Sequence, residues 1–207
     1  MNILAIESSS KQCSIAIHSN NSIHESSDII NNDSATSLPI MIEKMLSTLS
    51  LTFKDLDGIA ISMGPGSFTG LRVGLSYAKG LSLTLDIPII PISTFDLLLL
   101  PNIKDIQDKL ITVLIHSHGT TLYQSRYFLK NNSYVLEEDP ISIVLNNISN
   151  ENHGTIMYCG PEHLLDNINP LSSSVHIVSP AAKNMIDIGI KNFDLLESLN
   201  LRKFLTQ

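Results

Sequence analysis

Gly64-Pro65-Gly66-Ser67-Phe68-Thr69-Gly70-Leu71-Arg72-Val73-Gly74 gathers four of the chain's ten glycines into one short stretch. An apolar run, Gly58-Ile59-Ala60-Ile61-Ser62-Met63, precedes it and reads as a buried strand. The periodic segment behind it, ending near Asp86, reads as a helix. Strand, glycine turn and helix in that order aim backbone N–H groups at a point where an α/β protein can hold an anion. The spacing excludes the two commonest nucleotide loops. A Walker A loop needs a lysine directly after its last glycine, whereas Leu71 and Arg72 follow Gly70 and the first lysine is Lys79. A dinucleotide fingerprint opening at Gly64 needs a third glycine where Thr69 stands. Two readings remain, a tight turn capped by Ser67 or Thr69 and a phosphate-contacting loop.

On a helical projection Gly70, Leu71, Val73, Gly74, Leu75, Tyr77, Ala78, Leu81 and Leu85 cover an arc of roughly 200°, wider than the stripe one sheet face needs. Arg72, Ser76 and Lys79 hold the narrow polar side. Gly70 and Gly74 stack one turn apart, which would admit a second backbone. Such a helix is either sandwiched inside its domain or waits for a partner.

The chain of 207 residues suits one medium domain or two small ones. A net charge of −7 argues against independent nucleic-acid binding. Cys13 and Cys159 each lie in an apolar strand-like run, which predicts buried free thiols in a reducing compartment. The opening Met1-Asn2-Ile3-Leu4-Ala5-Ile6-Glu7 lacks a signal peptide's basic start. The apolar run around Leu97–Leu100 is too short to span a bilayer, so a cytoplasmic protein is expected.

Upstream of the glycine stretch, Asn2–Glu7, Cys13–His18 and Ile23–Ile29 read as strands joined by short turns, an antiparallel meander with the third strand nearer an edge. Asp33 or Ser34 then caps a helix to about Ser50, with Leu38, Met41, Ile42, Met45, Leu46 and Leu49 on one face and Pro39 in the first turn. Ile87–Ile92 adds a strand, so the order is β-β-β-α-β-α-β. Pro101–Asp108 is a polar break, dividing a unit at 1–100 from a smaller, degenerate one at 101–207. The second half repeats the opening pattern in Leu110–Ile115, Leu122–Leu129, Tyr134–Glu137 and Ile141–Leu145, Thr155–Gly160 and Val175–Val178. A helix from Pro180 to about Ile190 follows, with room to pack back on the first unit. The reading is α/β, an internal duplication of a βββαβα unit.

Ile3-Leu4-Ala5-Ile6-Glu7-Ser8-Ser9, Cys13-Ser14-Ile15-Ala16-Ile17 and the glycine stretch, running on to Ile87-Pro88-Ile89-Ile90-Pro91-Ile92-Ser93-Thr94, resemble the TsaB (YeaZ) family over about the first hundred residues. Beyond them the resemblance holds in outline, at Ser179-Pro180-Ala181-Ala182. It implies two tandem actin/Hsp70/sugar-kinase-like (RNase H-like) units with mixed sheets flanked by helices. It implies a non-catalytic scaffold that binds and stabilises TsaD, the transferase that places a threonylcarbamoyl group on an adenosine of tRNAs reading codons that start with A. TsaC supplies the threonylcarbamoyl-adenylate, the ATPase TsaE joins the complex, and tRNA is met only through it. The first two helices would pair with their TsaD counterparts, which accounts for the broad apolar arc. Met41, Met45, Gly70, Val73, Gly74 and Tyr77 are the interface residues this suggests, with a homodimer through the same helices when TsaD is absent. Ser67, Thr69 and Arg72 would lie near an ATP or ADP framed at the joint surface, the chain having no cofactor of its own.

Departures from the family pattern are Glu7-Ser8-Ser9 for Asp-Thr-Ser, Ser34 for a histidine at the first helix, and His116-Ser117-His118 for an Asp-Ala-Arg-like corner. No metal or catalytic set is expected: Ser34–Leu38 lack the paired histidines of TsaD-type enzymes, and His116 with His118 has no further ligand at metal spacing. Glu7 stands where an actin-like ATPase keeps an acid and is read as vestigial or structural. The rival readings are an autonomous ATP-dependent phosphotransferase or ATPase using Glu7 and the Gly64–Gly70 turn, and a metallopeptidase.

Overall fold

The structure is a computed structural model that describes residues 1–29, 34–148 and 153–198. It divides into Met1–Leu97 with Pro180–Gln207, and Leu98–Ser179. The first unit runs β1 (Ile3–Glu7), β2 (Gln12–Ser19), β3 (Ser22–Ile29), α1 (Ser34–Thr48), β4 (Gly58–Ser62), α2 (Phe68–Leu85), β5 (Ile89–Ile92), with α3 (Thr94–Leu99) at its end. Its sheet order is β3-β2-β1-β4-β5. The first three strands are antiparallel, and β4 and β5 continue parallel to β1 through helical crossovers. This is the RNase H-like arrangement of an actin-type unit.

The second unit runs β6 (Leu110–His118), β7 (Thr121–Lys130), β8 (Ser133–Leu136), β9 (Ile141–Val144), β10 (Thr155–Cys159), α4 (Leu165–Ile168) and β11 (Val175–Ile177). Its order, β11-β10-β6-β7-β8 with β9 also on β7, repeats the first sheet's topology. The crossovers are reduced. Four-residue α4 stands where α2 does in the first unit, and the described residues between β9 and β10 hold only a 3-10 turn, Leu145–Asn147. The chain ends its described course in α5 (Ala182–Ser198).

Every residue of β1 and β4 is buried, which is why both read as near-continuous apolar runs, each ending in a polar residue, rather than alternating ones. Leu38, Ile42 and Leu46 of α1 and Ala78 of α2 cover one face, over Leu4, Ile6, Ile15, Ile17, Ile59 and Ile61. Ala182, Met185, Ile186 and Phe193 of α5 cover the other, over Ile3, Ala5, Ala16, Ala60 and Ile90. The division at 100 and 101 is therefore corrected. Helix α5 carries its apolar residues at helical spacing and closes the first sheet's second face, so 101–207 is not one unit.

Other local readings change as well. Pro39 lies in the second turn of α1, where its missing N–H leaves a gap in the helical bonds. Cys13 is buried, but Cys159 at the end of β10 is only half-buried. The α3 helix was not anticipated. The suggested cap Asp33 lies outside the described residues. Among the described residues no helix is long and apolar enough to cross a membrane.

Candidate functional site

From Ser62 the chain turns through a cis Gly64–Pro65 bond into α2. Two backbone bonds tie this loop to the end of β5 and the start of α3: Met63 N donates to Ile92 O and Thr94 N to Gly64 O, both at 2.8 Å. A third ties it to the β1–β2 turn, Ser67 N donating to Ser9 O at 2.6 Å. Ser67 is the N-cap of α2, its Oγ accepting from Gly70 N at 3.3 Å.

The glycines serve close approach. A Cβ on Gly66 would strike the Ser9 carbonyl, one on Gly70 the Ser8 carbonyl, and one on Gly74 the Ser8 hydroxyl. The turn after β1 thus lies flush on the loop and the first turns of α2. Carbonyl oxygens line the inner side of the loop, where a phosphate would need donors.

Glu7 closes this arrangement from beneath. It is fully buried, and its Oε1 accepts from Ser9 N and Ser9 Oγ, each at 2.5 Å. Its Oε2 has no hydrogen-bond partner. Burial pushes the carboxyl up, against a smaller downward pull from the Ser9 bonds and from the nearby Ser62 hydroxyl, which sits outside bonding geometry.

On its outer side α2 is underfilled. Gly70, Gly74, Ala78 and Ser82 are its buried line. Leu71, Val73, Leu75, Tyr77, Leu81 and Leu85 are half-buried, and Phe68 and Leu83 are 66% and 71% exposed. Gly70 and Gly74, expected at a partner interface, face inward instead, where the chain's own Ser8 approaches them, by its carbonyl at Gly70 and by its hydroxyl at Gly74. Val73 and Tyr77 come together in a shallow groove with Leu38, Arg72 and Ser76, which meets a second groove along Gly80, Leu81 and Leu85. Burial, then the Glu43 carboxylate, pushes the Tyr77 phenol up. Met45 is 8% exposed, and with Met41 it lines a separate groove of about 450 Å³ between α1 and β3.

Ser67, Thr69 and Arg72 lie exposed together at the N-terminal end of α2, the Arg72 guanidinium 3.9 Å over the Phe68 ring. His116 and His118 are separated by a bulge in the β6–β7 pairing; His116 Nε2 bonds Gly119 O at 3.1 Å and His118 Nδ1 bonds Ser117 Oγ at 3.1 Å. Among the described residues no three His, Cys, Asp or Glu side chains are grouped to hold a metal. Ser8 and Ser9 are the residues that sequence reasoning missed. Their signal was a triplet of small residues directly behind the acid that ends β1.

The family model described as TsaD, tRNA N6-adenosine threonylcarbamoyltransferase, matches residues 19–141. The tRNA threonylcarbamoyladenosine biosynthesis protein TsaB of Buchnera aphidicola subsp. Acyrthosiphon pisum is 35% identical over 149 residues, 72% of this chain and 67% of the relative. The TsaB of Escherichia coli K12 is 32% identical over 94 residues, 45% of this chain and 41% of the relative. Among solved structures, YeaZ from Pseudomonas aeruginosa superposes with a TM-score of 0.79 at 18% identity, covering 95% of this chain and 93% of that one, and so shares its fold. The chain belongs to the TsaB (YeaZ) family.

Proposed function

We propose that this chain is a non-catalytic subunit in the formation of N6-threonylcarbamoyladenosine in tRNA, and that it binds and stabilises a TsaD-type transferase. The observation that carries the reading is the outer face of α2. The sheet takes only the small-residue line of this helix, which leaves Val73, Tyr77, Leu81 and Leu85 half-buried beside α1. Apolar area of this kind on a rigid helix pair suits a partner helix pair. The names of the relatives and of the matching family model supply the process and the partner.

In this reading TsaE joins the assembly as its ATPase, and tRNA is contacted only through the assembly, in keeping with a net charge of −7. ATP or ADP held at the joint surface meets Ser67, Thr69 and Arg72, and the chain carries no cofactor of its own. Without its partner the chain pairs with itself through the same helices, and it works in the cytoplasm.

Size-exclusion chromatography with light scattering tests this, on the chain alone and with the TsaD-type protein of the same source. The expected result is a homodimer that converts to a heterodimer, with Val73→Glu and Tyr77→Arg weakening both forms. Gly74→Trp is unsuitable, because its side chain would collide with Ser8 and Ile61 inside the unit. A monomer indifferent to the transferase overturns the reading.

A further inference from the structure

A continuous path of contacts leads from β1 to the first two turns of α2, and Glu7 is its one ionisable member. Glu7 Oε1 holds Ser9 by its N–H and its hydroxyl. The Ser9 carbonyl holds Ser67 N, and Ser67 Oγ holds Gly70 N. One residue earlier, the Ser8 carbonyl and hydroxyl fill the spaces that side chains at Gly70 and Gly74 would need.

We infer that Glu7 is a positioning residue, a hydrogen-bonding clamp that sets the first turns of α2, and with them Thr69, Arg72 and Val73, for docking the partner. The inference rests on the partner reading above. The clamp works through the geometry of the carboxyl: Oε1 accepts from Ser9 N and Ser9 Oγ, and Oε2, like the buried Ser62 hydroxyl, makes no hydrogen bond. A glutamine preserves the length and the acceptor, whereas an alanine removes both. This separates a clamp from an acid whose negative charge organises a metal and its water.

The experiment is amide hydrogen exchange over residues 64–72 in the wild-type chain, Glu7→Ala, Ser9→Ala and Glu7→Gln, with the affinity of each for the TsaD-type protein measured alongside. Glu7→Ala and Ser9→Ala are expected to speed exchange at Ser67 and the following amides about tenfold, the size of one lost buried hydrogen bond, and to weaken binding by a similar factor. Glu7→Gln should restore both to about the wild-type values. Should Glu7→Ala fail to fold, Ser9→Ala carries the same test. Unchanged exchange in Ser9→Ala, or a Glu7→Gln variant as impaired as the alanine one, overturns the clamp. Exchange that follows the expected pattern in a wild-type chain that ignores the transferase upholds the clamp and removes the partner reading.

Discussion

Gly70→Ala and Gly80→Ala are the same chemical change in the same helix, and they should move stability in opposite directions. Alanine in place of helical glycine gains about 0.5–1 kcal/mol. At Gly80 no heavy atom lies within 4 Å of the added methyl, so the whole gain is realised. At Gly70 the methyl lands on the Ser8 carbonyl, a backbone atom in a turn that Glu7 and Ser9 hold in place. Relief requires that turn or the helix to shift. Overpacking of this kind costs about 1–3 kcal/mol, and straining the Ser67–Ser9 bond adds about 1 kcal/mol. After the helical gain is subtracted, the net loss is about 1–3 kcal/mol. Gly74→Ala falls between, since it meets the movable ends of Ser8 and Ile61. Urea unfolding followed by far-UV circular dichroism, suited to a chain without tryptophan, gives the order from the midpoints at constant slope. A Gly70→Ala variant as stable as the wild type would refute the close-approach argument.

Three further outcomes follow from packing and protonation. The buried Glu7 carboxyl titrates above its ordinary value, so the folded state holds a proton that the unfolded state releases first. Its contribution is therefore fully present below the unfolded value and is lost as pH rises toward the folded one; Glu7→Gln should flatten that decline in a pH series of unfolding midpoints. Cys13 is buried with its thiol pushed up to about 11, chiefly by desolvation, whereas Cys159 is half-buried. Maleimide labelling at pH 8 read by mass spectrometry should modify Cys159 well before Cys13, and equal rates would contradict the burial. Phe193, 6% exposed against the first sheet, should cost about 3–5 kcal/mol on truncation to alanine, and a loss below 1 kcal/mol in urea unfolding would show that α5 adds little there.

Much of the fold was legible because its signals are local. The runs Ile3–Ile6 and Ile59–Ile61 are apolar throughout since helices cover both faces of their sheet, and the turns between β1, β2 and β3 are written in serine and asparagine. The repeat of strand order in the second unit was readable for the same reason. Tertiary pairings were legible only in outline. The return of the last helix to the first unit was expected, but its partners, Phe193 and Met185 against Ile3 and Ile90, are contacts that no local pattern encodes. The α3 helix carried a readable start, Ser93 Oγ accepting from Phe95 N at 3.2 Å, but its leucines looked like a plain apolar run. At the site, helical projection found the apolar breadth of α2 yet could not say which part meets the sheet. Gly70 and Gly74 took the inner side because Ser8 comes close enough there to exclude any larger residue.

The first unit is discontinuous along the chain, and that gives its folding a schedule. Ribosomal synthesis at about 5–20 residues per second puts α5 roughly 4–17 s behind Leu97. Until then Ile3, Ala5, Ala60 and Ile90 lack the cover that Ala182, Met185, Ile186 and Phe193 give on their side of the sheet. The half-finished unit must pass through the synthesis of an entire second sheet with one apolar face bare, a window in which a chaperone or a premature partner competes with the helix still to come.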